Sequence, residues 1–176
     1  MKIVAPSIIL GVDPGFSVTG FLVIKFAAGS TSVLDFGYLK LKPAHTLSER
    51  VGEFYAFFQT KMTTFTVTDI ALETSFLGQN AQTFLKLGYL RGILYLLADQ
   101  HKTPLHEFAP REVKQSVTGM GNASKEQVAL MMSRIFPQLN SLKDGVKSDV
   151  TDALAIGLCG VWSKQQKALM AKIAKL

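Results

Sequence analysis

Hydrophobic runs rich in valine, isoleucine, leucine and phenylalanine open the chain. Three of them lie at residues 7–12, 20–25 and 31–42, and the segments between them contain Pro-Gly or Gly-Ser. Such runs, broken by turn-forming residues, predict three strands with short antiparallel connections. The N-terminal part of the chain is therefore expected to form a three-stranded meander.

Helical and strand-like patterns alternate in the middle of the chain. Thr46 and Glu49 have the spacing of a capping box ahead of an apolar helical face. A fourth strand is predicted at residues 67–73. Apolar residues then recur at helical spacing over residues 80–100, which predicts a long helix.

The C-terminal part is predicted to be mostly helical. Its expected elements are, in order, a short strand at 104–108, a helix at 110–117, a helix capped by Ser124 and Gln127 that reaches about 136, a loop at 137–147, and a helix from about Ser148 onward.

The order of these elements predicts an α/β fold. A three-strand meander followed by βα units implies a mixed five-stranded sheet flanked by helices, in which the later strands are parallel. This is the layout of the ribonuclease-H-like architecture. Function must be argued separately from the site.

Length and composition narrow the class of protein. The 176 residues fit a single domain, with a core at about 7–162 and a basic helical tail at 163–176. A net charge of +6 favours an anionic partner, and the single cysteine excludes an internal disulfide. No apolar run approaches the ~20 residues of a membrane span, so we expect a soluble, cytoplasmic protein.

Two predicted strands each end on a single carboxylate. Asp13 follows the first strand, and Glu73 ends the fourth. Asp13 could instead begin an Asp-Pro-Gly turn, and Glu73 could be a solvated strand end. Their shared position at the ends of two buried strands favours a common site.

A second pair of carboxylates lies in the last helix. Asp149 and Asp152 are three residues apart and share a helical face. Acidic residues in a first helical turn, capped here by Ser148, also have a simple electrostatic explanation. An almost wholly apolar run at 153–158 follows Asp152 and argues against this electrostatic explanation, because burying an unpaired carboxylate there would be costly.

Convergence of these four carboxylates would require a cation. Hard oxygen ligands favour Mg²⁺, which keeps water and phosphate oxygens in its coordination shell. The three histidines and the cysteine are scattered and lack zinc-site spacing.

Five collinear stretches resemble the RuvC family of Holliday-junction resolvases. They are LGVDPGFSVTG at 10–20, IALETSF at 70–76, the segment from 80 to 92 with its Leu-Lys-Leu-Gly and Arg-Gly pairs, APREVKQSVTG at 109–119 with Gly121 and Ser124-Lys125, and DVTDALA at 149–155. The resemblance covers most of the chain from residue 10 to 159.

This resemblance implies a structure-specific endonuclease that resolves four-way DNA junctions by paired nicks in recombination and repair. Asp13, Glu73, Asp149 and Asp152 would be the catalytic, metal-binding acids. Two Mg²⁺ ions per site, replaceable by Mn²⁺, would activate water and stabilise the leaving oxygen. The expected products carry 5′-phosphate and 3′-hydroxyl ends.

The resemblance also implies DNA contacts. Lys114 and Lys125 match basic positions near the DNA backbone, with Arg111 as a further candidate, although each could be an ordinary exposed charge. Phe76 matches the family's loop aromatic and would stack on an unpaired base at the junction centre. Alternatively, Phe76 packs in the core.

Two partners beside DNA are implied. A nearly two-fold symmetric junction suits a homodimer, and the helix at 80–100 is the counterpart of the family's interface. Its leucines are a candidate dimer face, although a core stripe explains them equally well: Leu87, Leu90, Leu94 and Leu97. The RuvA–RuvB branch-migration complex is the expected protein partner.

Three rival interpretations stay open. The first motif is also similar to the phosphate loop of actin-like sugar kinases, but those need a second such domain. A YqgF-type nuclease of the same fold would process RNA, and the match around 114–125 argues against it. A catalytically silent junction-binding module should lack an acid, and none of the four is missing.

Overall fold

The computed structural model describes residues 6–74, 81–142 and 144–173. Its strands are β1 (Ser7–Asp13), β2 (Val18–Ala27), β3 (Ser30–Lys40), β4 (Asp69–Glu73) and β5 (Leu105–Phe108). Its helices are α1 (Leu47–Phe65), α2 (Ala81–Gln100), α3 (Pro110–Thr118), α4 (Lys125–Ile135) and α5 (Asp144–Ile173), with a short 3₁₀ helix at Pro137–Ser141. None of the helices in these ranges is long and apolar enough to span a membrane.

The strands form one mixed sheet in the order β3-β2-β1-β4-β5. β1, β2 and β3 pair antiparallel, whereas β1, β4 and β5 run parallel. The predicted fold is confirmed. Because β1 and β4 are parallel neighbours, Asp13 and Glu73 end at the same edge of the sheet.

Helices cover both faces of the sheet. Leu10 of β1 packs with Phe54 of α1 and Leu94 of α2 on one face, and neighbouring Ile9 packs with Leu154 of α5 on the other. This alternation follows from the two-residue period of a strand, and the mostly apolar sequence of β1 is that of a strand buried on both sides.

Both predicted capping boxes are present. The Thr46 hydroxyl accepts a hydrogen bond from the Glu49 amide at the start of α1, and Ser124 accepts one from Gln127 at the start of α4. Each box satisfies backbone donors that the first helical turn would otherwise leave unpaired. The second box fixes Lys125 as the first residue of α4.

The predicted start of the last helix is wrong. Residues 137–147 are not all loop, because they contain the 3₁₀ helix and the first residues of α5, which begins at Asp144. Gly145 disfavours a helix, but this local preference is too weak to set the helix boundary. Ser148 is therefore not a cap, and Asp149 and Asp152 lie beyond the first turn.

The predicted dimer face is also wrong for most of its residues. Leu90, Leu94 and Leu97 are fully buried against the sheet and α1, and Leu87 is half-buried. Their stripe belongs to the core, which was the alternative explanation. The opposite face of α2 is exposed.

Three glycines let α5 lie directly on the sheet. A Cβ atom at Gly11 would lie 2.6 Å from the Cα atom of Gly157, so β1 and α5 touch backbone to backbone. At Gly20, a Cβ atom would lie 2.0 Å from the carbonyl oxygen of Asp149. Because Gly20 pairs with Asp13 across β1 and β2, this contact brings the acidic part of α5 to the end of β1.

Candidate active site

A cavity of about 250 Å³ lies at the edge of the sheet where β1 and β4 end. Its polar lining comes from two strands and three helices: Asp13, Glu73, Lys114, Lys125 and Asp152. Apolar residues of α3, α4 and α5 complete the wall. The cavity thus gathers five of the side chains that the sequence singled out.

The three acidic wall residues are held by different elements. Asp13 and Glu73 end adjacent parallel strands, and Asp152 comes from α5. Asp149 lies almost one turn earlier on α5. It is close enough to Asp13 to act on it electrostatically but does not line the cavity.

Burial and mutual repulsion change the acidity of this group. Burial, followed by the charges of Asp152, Glu73 and Asp149, raises the pKa of Asp13 from 3.8 to about 7. The pKa values of Glu73 and Asp152 are also raised, chiefly by burial. A site that concentrates negative charge in this way favours a bound cation.

Lys125 supplies one positive charge in this structure. Its ammonium nitrogen lies 2.9 Å from a carboxylate oxygen of Asp152, and this hydrogen bond raises the pKa of Lys125. Lys114 also lines the cavity, and its charge lowers the pKa values of Glu73 and Asp152. Lys125 is largely exposed and Lys114 half-buried, and both act electrostatically on the carboxylates of the cavity.

The loop after Asp13 is held by a residue to which the sequence analysis assigned no role. Thr19 is fully buried, and its hydroxyl accepts a hydrogen bond from the Gly15 amide (3.1 Å) and donates one to the Gly15 carbonyl (2.9 Å). This local clamp fixes the segment that follows the strand. The sequence signal was the place of Thr19 within the first of the five family-like stretches.

Arg91 is the second residue without an assigned role. It donates a hydrogen bond from Nη1 to the carbonyl oxygen of Glu73 (2.5 Å) and pairs with Glu107 through Nη2. It therefore ties α2 to the ends of β4 and β5. A lone arginine within an apolar helix was the available signal.

The carboxylates of this cavity suit a hard divalent cation, although they are not arranged around a common metal position in this structure. Carboxylate oxygens are the ligands that Mg²⁺ and Mn²⁺ prefer, and the raised pKa of Asp13 reflects its burial and then the negative charge of the neighbouring acids. Among the described residues, no three His, Cys, Asp or Glu side chains are grouped closely enough to hold a metal. Asp152 instead forms an ion pair with Lys125.

The two remaining predicted DNA contacts are Phe76 and Arg111. Phe76 is outside the described residues. Arg111 is exposed and lies against Gly121, where an added Cβ atom would come within 2.6 Å of its Cγ atom, and it does not line the cavity.

A sheet of this order, with carboxylates at the ends of β1 and β4 and on a helix packed across them, defines the ribonuclease-H-like class of nucleases. A sequence model described as "Crossover junction endodeoxyribonuclease RuvC" matches residues 9–160. The chain belongs to this RuvC family, as the sequence motifs indicated. Membership implies an endonuclease that depends on a divalent metal ion.

Individual relatives align with this chain over most of their length. A crossover junction endodeoxyribonuclease RuvC of Pelodictyon phaeoclathratiforme is 45% identical over 152 residues, which are 86% of this chain and 78% of the relative. The one from Chlorobium chlorochromatii is 44% identical over 155 residues, 88% of this chain and 79% of the relative. Among solved structures, T. thermophilus RuvC in complex with Holliday junction substrate has a TM-score of 0.78 at 25% identity, covering 90% of this chain and 96% of that one.

Proposed function

We propose that this chain resolves four-way DNA junctions in recombination and repair by introducing paired symmetric nicks. One observation carries the proposal: acidic residues from β1, β4 and α5 share a cavity with two lysines, and the pKa of Asp13 is raised to about 7. The solved complex of T. thermophilus RuvC with a Holliday junction supports the choice of substrate.

The cofactor in this proposal is Mg²⁺, with Mn²⁺ able to replace it. Asp13, Glu73 and Asp152 would hold the ions, two per site, with Asp149 as a further ligand. Bound there, the metal would lower the pKa of a water molecule and stabilise the leaving 3′ oxygen, giving 5′-phosphate and 3′-hydroxyl ends.

The protein's own groups orient the DNA strand and the acids. Lys114 and Lys125 are assigned to phosphate oxygens beside the cavity, where an ammonium compensates the charge of the backbone. Arg91 holds the end of β4 and hence Glu73, and Thr19 holds the loop after Asp13. Phe76 remains the proposed stacking residue, and Arg111 a proposed contact farther along the backbone.

A homodimer would supply two like sites for two matched nicks. The exposed face of α2 is the proposed interface, because Leu85, Tyr89 and Leu96 are 55%, 40% and 45% exposed. With Gly92 they have the four- and three-residue spacing of a helix–helix seam. This face replaces the buried leucines as the dimer contact.

The cellular setting follows from the proposed substrate. Junctions that arise during recombination are moved by a branch-migration complex, and we assign RuvA–RuvB as that partner. The site of action would then be the cytoplasm, where chromosomal junctions form.

The proposal is tested with a labelled synthetic four-way junction in Mg²⁺ or EDTA. Wild type should produce paired nicks only with metal, and Asp13→Asn should bind the junction without cutting it. Asp99→Asn, which changes an exposed acid paired with Lys102, is the matched control and should cut normally. Linear duplex and single-stranded RNA serve as comparison substrates.

Two outcomes would overturn the proposal. Junction binding without cutting under any divalent metal would indicate a silent junction-binding module. Efficient cutting of single-stranded RNA with no preference for the junction would indicate an RNA-processing nuclease of the same fold.

A further inference from the structure

A second cavity, of about 270 Å³, adjoins the catalytic cavity. Lys125 and Asp152 line both, so the two cavities meet at this ion pair. The remaining wall consists of residues that the catalytic cavity lacks: Glu126, Ala129, Lys147, Ser148 and Thr151. A groove therefore continues from the catalytic acids between the start of α4 and α5.

One face of α5 forms a wall of this groove. Lys147, Ser148, Thr151 and Asp152 have the one- and four-residue spacings of a single helical face. The Thr151 hydroxyl donates a hydrogen bond to the Lys147 carbonyl (2.6 Å), so it is already engaged. The Lys147 ammonium and the Ser148 hydroxyl are the donors that this wall offers a ligand.

Lys147 is the lysine of this groove whose charge is not engaged by a described carboxylate. Asp152 is paired with Lys125, and the Glu126 carboxylate accepts a hydrogen bond from the Ser124 hydroxyl (2.6 Å) at the start of α4. Among the described side chains, no carboxylate forms an ion pair with Lys147. Its half-buried position beside the catalytic cavity therefore leaves its charge available to a bound phosphate.

Lys147 lies a short distance along α5 from the catalytic acids. It precedes Asp152 by five residues, which is about 7.5 Å along a helix axis. Neighbouring phosphates of one DNA strand lie only a few ångströms apart, so Lys147 can reach a phosphate close to the one at the catalytic acids.

We infer that Lys147, with Ser148, binds a backbone phosphate of the cleaved strand one or two nucleotides from the scissile phosphate. The inference rests on the proposed function and adds a binding site on α5. It assigns Lys147 to positioning the strand and gives it no role in the chemical step.

The test compares Lys147→Ala with Lys167→Ala, which removes the same charge from an exposed position on the same helix. Binding of a labelled four-way junction is measured in EDTA over a range of salt concentrations, so that cleavage does not contribute. Lys147→Ala should weaken binding roughly 5-fold and reduce the salt slope by about one unit. Lys167→Ala should match wild type, and Lys147→Arg should restore binding.

A second measurement locates the contact. Junctions carry one uncharged methylphosphonate at successive positions around the cleavage site. Wild type should lose affinity when the phosphate one or two nucleotides from that site is neutralised, and Lys147→Ala should lose nothing further there. Equal losses in both proteins at every position, or equal binding by Lys147→Ala and Lys167→Ala, would overturn the inference.

These failures are distinct from failure of the proposed function. If wild type bound the junction no better than linear duplex, the proposed function would fail. If wild type bound it tightly while Lys147→Ala behaved like Lys167→Ala, only the phosphate site would fail.

Discussion

Asp13 is the residue whose surroundings most clearly reflect the function of the site. It ends a buried strand, and both burial and three neighbouring acids raise its pKa to about 7. A folded chain that holds such a group binds its proton more tightly than the unfolded chain. The metal-free protein therefore loses stability as the pH rises from about 4 through 7.

Asp13→Asn should remove this dependence. In EDTA at pH 8, the variant should be more stable than wild type by about 2–4 kcal/mol, and the difference should vanish near pH 4. Urea denaturation across this pH range measures it, with Asp99→Asn as the exposed control. A constant difference at all pH values would contradict the assigned environment of Asp13.

Lys125 competes with a cation for Asp152. Because its ammonium lies 2.9 Å from the Asp152 carboxylate, metal binding must displace it or share that oxygen. Lys125→Met should lower the dissociation constant for Mn²⁺ by roughly 3–10-fold, since a direct opposing contact is lost. Isothermal titration calorimetry measures this change.

Lys114→Met is the matched control for this measurement. Lys114 lines the same cavity and forms no ion pair with any carboxylate that the structure describes, so its loss should change the affinity less. Equal effects of the two substitutions would mean that the Lys125–Asp152 contact has no special role.

At the scale of elements, the position of α5 decides whether the acids meet. The helix touches β1 through Gly11 and Gly157, and its backbone at Asp149 touches β2 at Gly20. These contacts leave no room for side chains. The placement of Asp149 and Asp152 therefore depends on glycines at the contacts between α5 and the sheet.

Gly20→Ala should disturb this placement. Its Cβ atom would lie 2.0 Å from a backbone oxygen, which cannot move without shifting α5. We expect a loss of about 1–3 kcal/mol in the free energy of unfolding and at least a tenfold loss of junction cleavage. Urea denaturation and single-turnover cleavage measure the two effects.

Gly52→Ala provides the control for an added methyl group. Gly52 lies in α1 with open space around it, so alanine should stabilise the protein by roughly 0.5–1 kcal/mol and leave cleavage unchanged. Wild-type stability and cleavage in Gly20→Ala would show that the close approach of α5 is not needed.

The sequence predicted the strands, their order along the chain and both capping boxes because these depend on local patterns. It misplaced the start of α5 because Gly145 is typical of a helix boundary, whereas α5 runs through it. It could not assign Leu90 and Leu94, since a leucine stripe looks the same whether it covers its own sheet or a partner. The Lys125–Asp152 contact joins two elements and leaves no local signal.

For the whole molecule, the exposed apolar face of α2 carries the proposed dimer. Leu96→Glu should convert the protein to a monomer, because charge would be buried in the seam. Sedimentation velocity measures the change, and paired nicks should give way to single nicks. Leu130→Glu, on the exposed face of α4, should leave the oligomeric state unchanged. A wild-type monomer that still makes paired nicks would contradict this arrangement.

In the proposed function, the acids from β1, β4 and α5 form one divalent-metal site. The most direct test is anomalous diffraction from crystals of the protein soaked in Mn²⁺. Peaks should lie in the cavity within ligand distance of Asp13 and Asp152, and Asp13→Asn crystals should lose them. Full cleavage activity in Mn²⁺ together with no peak in this cavity, or with peaks only at other acids, would contradict the account.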